Sequence, residues 1–328
     1  MKEPVYIFNN TAARDITLTV HSWLKDQTGT ISIPLPKGWK STPQSIDFSI
    51  SQKGESKEFV FSITPPEKGE EIYITPEIRS NGKIYRDQLI DISYDHIPFQ
   101  TVVMKAEAKL SRIDIAIKGK RVAYVMGAGD DIPISLRQIG YEVDLVKAED
   151  ISHYKLAAYD ALIMGVRAYN TVEALKFKQK DIINFVAEGG TVIVQYNTAG
   201  GLVTKDVGPY PFTISRKRVS VEEAEIRFLN PEHELLNRPN KITSKDFEGW
   251  VQERGLYFPE EWDTNYTPIL SSNDPGENPN NGMLLVAKHG DGHFIYTGLS
   301  FFRELPAGVS GAFRLFANLI SIGKDVQP

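Results

Sequence analysis

The chain has 328 residues, 41% hydrophobic and 24% charged, with a net charge of −5, which is ordinary globular composition with room for two domains. The negative balance argues against a nucleic-acid partner, which needs a basic surface, and no apolar run approaches the roughly 18 residues that span a bilayer. Cysteine is absent, which excludes disulfides, thiolate nucleophiles and Cys-ligated zinc. The start, "MKEPVYIFNN", has no apolar core of a signal peptide, so none is expected in this chain.

Up to about residue 100 the sequence reads as strands alone. "DITLTVHSW", "GTISIPL", "SIDFSIS", "EFVFSITPP", "EEIYITPEI" and "LIDISY" alternate apolar and polar residues, the period of half-buried strands. Turn chemistry separates them at Asp26 to Gly29, Pro36 to Gly38, Gln52-Lys53-Gly54, Pro65 to Gly69 and Asn81-Gly82. The expected architecture is an antiparallel sandwich. Trp23, Trp39, Phe48, Phe59 and Phe61 are expected in or near its core, with Trp23 or Trp39 as the alternative platform for a carbohydrate ring.

The stretch "TVVMKAEAKLSRIDIAIKG" is expected to be an extended connector, because Ile113, Ile115 and Ile117 alternate. From Gly119 the rhythm changes. "RVAYVMG" is a buried-strand run, "PISLRQIG" a short helix, "YEVDLV" and "DALIMGV" further strands. Val172, Leu175, Ile182, Ile183 and Val186 then recur at helical spacing, with Thr171 placed to cap that helix and Gly189-Gly190 to end it. "TVIVQY" and "HFIYTGLSFF" add strands, and "SGAFRLFANLISI" a last helix. Alternating strands and helices imply a parallel sheet covered on both faces.

"YVMGAGDDIP" has the look of a phosphate loop, strand into Gly-Ala-Gly into helix. Ile132 stands where the third glycine of G-x-G-x-x-G belongs. Asp130 and Asp131 lie where an anion would be cradled, and each would repel it by about 1 kcal/mol or more. The loop therefore reads as a helix entry, with Asp131 as cap and Pro133 in the first turn.

Several long motifs in order, "GKRVAYVMGAGDDIPISLRQIGYEVDLV", "YDALIMGVRAYN", "GGTVIVQYNTAG", "NPEHELLN", "DFEGWVQERGLYF" and "YTGLSFFRELPAG", resemble the C-terminal part of large bacterial proteins of the PIG-L (LmbE-like) deacetylase family. The resemblance implies an Ig-like sandwich over 1–105, of the type associated with sugar-binding modules and α-galactosidases. A connector over 106–118 would follow, then a flavodoxin-like, class I glutamine amidotransferase-like parallel α/β domain over 119–328. It also implies an extracytoplasmic setting if the chain is a fragment of an exported protein. The family's zinc motif, a His-Pro-Asp-Asp-Glu run, is missing: His96 sits in "DHIP" and His233 in "PEHE". Measured against active amidotransferases, "VIVQYNTAGG" puts Tyr196 or Asn197 in the nucleophile position. "SFFRE" puts Phe302 where the histidine belongs and Glu304 at the acid. Glutamine hydrolysis is thereby excluded.

Parallel sheets bind ligands at the carboxyl ends of their strands, and that edge is polar here. Asp130, Asp131, Arg167, Tyr169, Asn170, Gln195, Tyr196, Asn197, Ser300, Arg303 and Glu304 follow strands, and Glu248, Trp250, Glu253 and Arg254 lie on loops placed to cross above. Arg167 and Arg303 would supply charged donors, Gln195 and Asn197 paired donors and acceptors, and Trp250 or Tyr169 a ring face for a sugar. Alternatively the arginines pair with Asp130, Asp131 or Glu304 and hold a dead site closed. Asp130 and Asp131 with Glu248 or Glu253 could also gather around a hard cation. His289 and His293 flank Gly290-Asp291-Gly292 and read as the ends of a hairpin, and "SRKRVSVEEAE" as a solvated strand edge. The expected function is a non-catalytic accessory region that binds a carbohydrate, an amino sugar or a PIG-L-type deacetylase domain, with no cofactor or metal. The alternative is a hydrolase with a repurposed carboxylate or metal site.

Overall fold

The structure is a computed structural model that describes residue 1 and residues 3–324. The chain divides into two compact units, Met1–Asp114 and Ile115–Pro328.

In the first unit, Arg14–His21 buries Ile16, Leu18 and Val20 and turns the residues between them outward. It pairs antiparallel with Ser56–Thr64, which in turn pairs with Lys40–Thr42. A second antiparallel sheet runs in the order Ser45–Ile50, Gln27–Ser32, Glu77–Ser80, Lys83–Tyr85. Its last two strands join through Asn81-Gly82, with φ of 50° and 73°, the pair of left-handed residues that a tight hairpin requires. Ile16, Leu18, Ile31, Phe48, Ile50 and Phe61 share one core.

Three expectations for this unit need correcting. Residues 106–118 are not all connector: Ala108–Arg112 is a strand lying parallel to Val5–Phe8 and antiparallel to Glu70–Ile74. "EEIYITPEI" is two strands in different sheets, broken at Thr75-Pro76, because proline cannot donate to a ladder. Trp39 is buried and donates its indole N–H to Glu70 at 2.9 Å, but Trp23 is 57% exposed. Trp23 packs edge-on against His21 instead of entering the core.

The second unit is organised by one eight-stranded sheet. Its strands are β1 (Arg121–Val125), β2 (Glu142–Leu145), β3 (Ala161–Met164), β4 (Thr191–Val194), β5 (Arg227–Phe228), β6 (Tyr266–Ser272), β7 (Asn280–His289) and β8 (Gly292–Thr297). They lie in the order β2-β1-β3-β4-β8-β7-β6-β5. The first five are mutually parallel and the rest antiparallel. Val122, Ala123, Tyr124 and Val125 are all buried, as a strand covered on both faces demands. The order 2-1-3-4 is that of flavodoxin-like doubly wound sheets, which reverse direction between β1 and β3.

Helices α1 (Ile132–Gln138), α2 (Gln179–Ala187) and α3 (Ser310–Ser321) are the longest in the unit. The expected helix from Thr171 to Glu188 is interrupted: a helical turn at Ala168–Thr171 and a tighter one at Glu173–Phe177 precede α2. Thr171 closes the first of these by donating to the Arg167 carbonyl and caps nothing. β7 and β8 form the hairpin that brackets Gly290-Asp291, with His289 opposite Gly292.

Candidate functional site

The crevice between β1 and β3 is closed by the protein's own groups. A Cβ on Gly127 would lie 2.1 Å from the Val166 carbonyl oxygen and 2.6 Å from the Ala168 nitrogen, so glycine is needed there for packing of two loops. Ala128 N–H donates to the Val166 carbonyl at 2.8 Å. Asp130 then takes the donors that an anion would use: the amide of Ile132, which opens α1, at 3.1 Å, the amide of Val166 at 3.1 Å, and the Tyr124 hydroxyl at 2.6 Å. Burial raises the Asp130 pKa, and those three donors hold the rise in check. Asp131 is exposed, and its side chain makes no cap; the amide of Ile132 is met by Asp130 instead.

Behind this lock, side chains alternate at the end of β4. Gln195 and Asn197 turn inward and are 1% and 0% exposed. Gln195 donates to the Tyr124 hydroxyl at 2.8 Å; Asn197 accepts from the Tyr169 amide at 2.9 Å and donates to the Gln195 carbonyl at 2.9 Å. Both side chains are enclosed by the fold, the Gln195 Oε1 without a hydrogen-bond partner. Tyr169 and Trp250 are buried as well, Trp250 donating its N–H to the Asp246 carbonyl, so neither offers a free ring face. Arg254 is buried and donates to the carbonyls of Ala224 and Phe247. Asn170 clamps the next loop, bonding to Thr198 and to the Gly200 carbonyl.

Tyr196, between the two inward amides, faces the opposite way. Its ring stacks on Tyr257 (5.8 Å between centroids, 11° between planes) and packs on Phe302 at 5.2 Å. Burial raises the pKa of its hydroxyl, and the positive charges of Arg167 and Arg303 pull it back. Tyr257 and Arg167 both sit in left-handed backbone, at φ of 54° and 57°, which is uncommon for a bulky residue and costs roughly 1–3 kcal/mol. Tyr257 is held there from both sides: Leu256 N–H donates to the Gly298 carbonyl, and the Tyr257 carbonyl accepts from the Tyr296 hydroxyl at 3.1 Å.

Arg303 pairs with Glu253 at 3.1 Å and lies over the Phe302 ring. It therefore does not pair with Asp130, Asp131 or Glu304 as one expectation had it. Glu304 is 0% exposed. It accepts from the Val251 amide at 2.9 Å and lies 3.2 Å from the Ser300 hydroxyl. Burial pushes its pKa up to about 7 against the pull of those partners and of Arg254 and Arg303. Glu248 is exposed. Among the described residues no group of three or more His, Asp or Glu could hold a metal ion, so the carboxylates weighed as a cation site do not converge.

Beside the Tyr257 ring opens a cavity of about 410 Å³, lined by Thr198, Ala199, Gly200, Arg216, Arg218, Leu256 and Tyr257. None of these was singled out in the sequence as a site residue. The available signal was the basic run "SRKR": Arg218 opens a short antiparallel ladder opposite Leu256, while Lys217, before it, forms an ion pair with Glu260 at 3.3 Å. Arg216 and Arg218 both line the cavity.

Fold and site together define a doubly wound α/β unit with a cavity at its strand ends, walled in part by the Tyr257 ring. No protein-family model matches the chain, and no curated protein matches it. Solved structures with a similar course include a GMP synthase-like protein from Thermoplasma acidophilum: 10% identity, TM-score 0.41, 63% of this chain and 96% of that one. PurLQS from Thermotoga maritima is similar at 14% identity and TM-score 0.41, over 62% of this chain and 99% of that one. A ThuA-like protein from Bacteroides uniformis aligns at 14% identity and TM-score 0.40, over 63% of this chain and 92% of its own. These neighbours include class I amidotransferase-like α/β folds. No helix among the described residues is long and apolar enough to cross a membrane.

Proposed function

We propose that this chain is a non-catalytic ligand-binding region that serves a deacetylase of the PIG-L type, with its first unit an Ig-like sandwich and its second a degenerate amidotransferase-like domain. The ligand is a carbohydrate or amino sugar, received in the cavity beside Tyr257. The observation that carries this reading is the environment of Tyr196. A phenol with a raised pKa, wedged between Tyr257 and Phe302, has neither the acidity nor the adjacent base that a nucleophile needs. What remains at the strand ends is a concave wall with one flat ring and several polar groups, the usual make-up of a small-ligand site. The hydrolase alternative has no comparable support: Glu304 is enclosed, Glu253 is tied to Arg303, and Asp131 points to solvent.

The test is calorimetric titration of the purified chain with glucosamine, N-acetylglucosamine and their short oligomers, alongside a glutaminase assay. Binding of at least one sugar, weakened by Tyr257→Ala, with no glutamine turnover, is the expected result. Glutamine hydrolysis, or sugar binding indifferent to Tyr257→Ala, refutes the reading.

A further inference from the structure

We infer that the cavity beside Tyr257 selects anions: its ligand carries a carboxylate or phosphate group, held by the Arg216 and Arg218 side chains. This rests on the reading of the cavity as the ligand site and adds the chemical class of what enters it.

The distribution of charge around the cavity points to this. The chain is net negative by five charges, and many of its cations have an acidic neighbour. Lys217, between the two arginines, has Glu260; Arg303 has Glu253; Arg314 has Asp246. Among the described residues Arg216 and Arg218 have neither an ion pair nor a side-chain hydrogen bond, and no carboxylate is among the residues that line the cavity. Two guanidinium groups that line one cavity repel one another. In an acidic protein, such a pair kept clear of carboxylates makes a local positive basin.

The backbone beneath the pair is fixed. Ser215 N–H donates to the Phe258 carbonyl at 3.1 Å, and Arg218 sits in register with Leu256. The other wall is the Thr198–Gly200 loop, pinned by Asn170. Among the described residues the amides of Ala199 and Gly200 donate to no protein acceptor. Arg167, whose charge acts on the Tyr196 hydroxyl, adds a third cation without an ion pair among the described residues, and its Nε is buried without a partner.

A neutral sugar entering this space would strip water from two guanidinium groups and give them only hydroxyls in return. A carboxylate or a phosphate meets each planar fork with paired oxygens and forms charge-assisted hydrogen bonds. The Tyr257 ring then remains as a flat apolar surface for the rest of the molecule.

The experiment titrates the full chain calorimetrically, in a buffer free of phosphate and carboxylates, with D-glucuronate, D-glucose 6-phosphate and methyl D-glucoside. The same ring with three substituents separates a carboxylate from a phosphate and both from a neutral sugar. At least one anion is expected to bind at least about ten-fold more tightly than the glucoside. The double variant Arg216→Gln/Arg218→Gln is expected to weaken that anion by roughly ten- to hundred-fold. Lys217→Gln, between the two arginines but outside the cavity lining and paired with Glu260, is the control and leaves binding unchanged. Salt raised from about 0.05 to about 0.5 M weakens the anion and spares the glucoside.

Equal affinity for glucoside and anions, or anion binding that survives the double variant, overturns the inference. Failure of both anions to bind at about 10 mM also overturns it. If the amino sugars of the preceding test still bind through Tyr257, the cavity remains the ligand site and only its charge selectivity is lost. If they too fail, both readings fall together.

Discussion

Replacing Glu304 by Gln should make the protein more stable at neutral and alkaline pH, the reverse of what removing an ion usually does. Raising a carboxyl from its ordinary 4.5 to about 7, at 1.36 kcal/mol per pH unit, corresponds to a penalty of about 3 kcal/mol on the folded state once the group ionises. The sign follows from which state holds the proton. Between pH 4.5 and about 7 the unfolded chain has released it while the folded chain keeps it, so wild-type stability falls as pH rises through that window. Above the window the two states carry equal charge at this position and the loss is constant. Glu304 accepts from the Val251 amide at 2.9 Å and from the Ser300 hydroxyl at 3.2 Å. Glutamine still accepts through its amide oxygen, without ever charging.

The assay is urea denaturation of wild type and Glu304→Gln at half-unit steps from pH 5 to pH 9. The two should differ by less than about 1 kcal/mol near pH 5 and separate to about 3 kcal/mol by pH 8, a melting difference of about 6–12 °C for a unit of this size. A variant less stable than wild type at pH 8, or a wild-type pH slope that Glu304→Gln leaves intact, refutes the reasoning.

Gly127→Ala should destabilise by about 1–3 kcal/mol, since its Cβ would meet backbone atoms 2.1 and 2.6 Å away; chemical denaturation reads this directly, and a neutral effect would mean the two loops are not in close contact. Asp130→Asn should cost about 1–3 kcal/mol by leaving one buried donor unmet, while sugar titrations remain unchanged because the cavity lies elsewhere. Trp39→Ala should cost about 3–5 kcal/mol, whereas Trp23→Ala should stay within about 1 kcal/mol; equal losses in thermal melts would contradict the burial described above.

The parts of the fold visible in the sequence are those set by local periodicity. Ile16, Leu18 and Val20 announced an inward face, "RVAYV" a strand covered on both sides, and "KHGDGHF" a hairpin. Long-range placement was not visible in the same way. No local pattern shows that Ala108–Arg112 returns to pair in parallel with Val5–Phe8, or that Trp23 stays outside while Trp39 goes in. For the candidate site, the sequence pointed to the carboxyl edge of the sheet, while the residues that line the cavity there are other ones. Gln195 and Asn197 follow a buried strand and looked aimed at a ligand, yet period-two alternation turns both inward and leaves Tyr196 between them on the other side. Arg216 and Arg218 belong to a basic run that reads as a solvated edge, and only the folded structure shows both lining the cavity while Lys217 pairs with Glu260.

The Asp130 carboxylate gives the glycine loop a built-in competitor. A free phosphate seeking the same amides would have to displace a group tethered within two residues of the Ile132 amide it accepts from. Tethering sets a high effective concentration that no diffusing ligand matches at ordinary levels. Adding a lysine nearby would leave that competitor in place. A nucleotide-binding descendant of this loop would have to lose Asp130 first and bear the loosened junction between β1 and β3 before any new ligand could restore it.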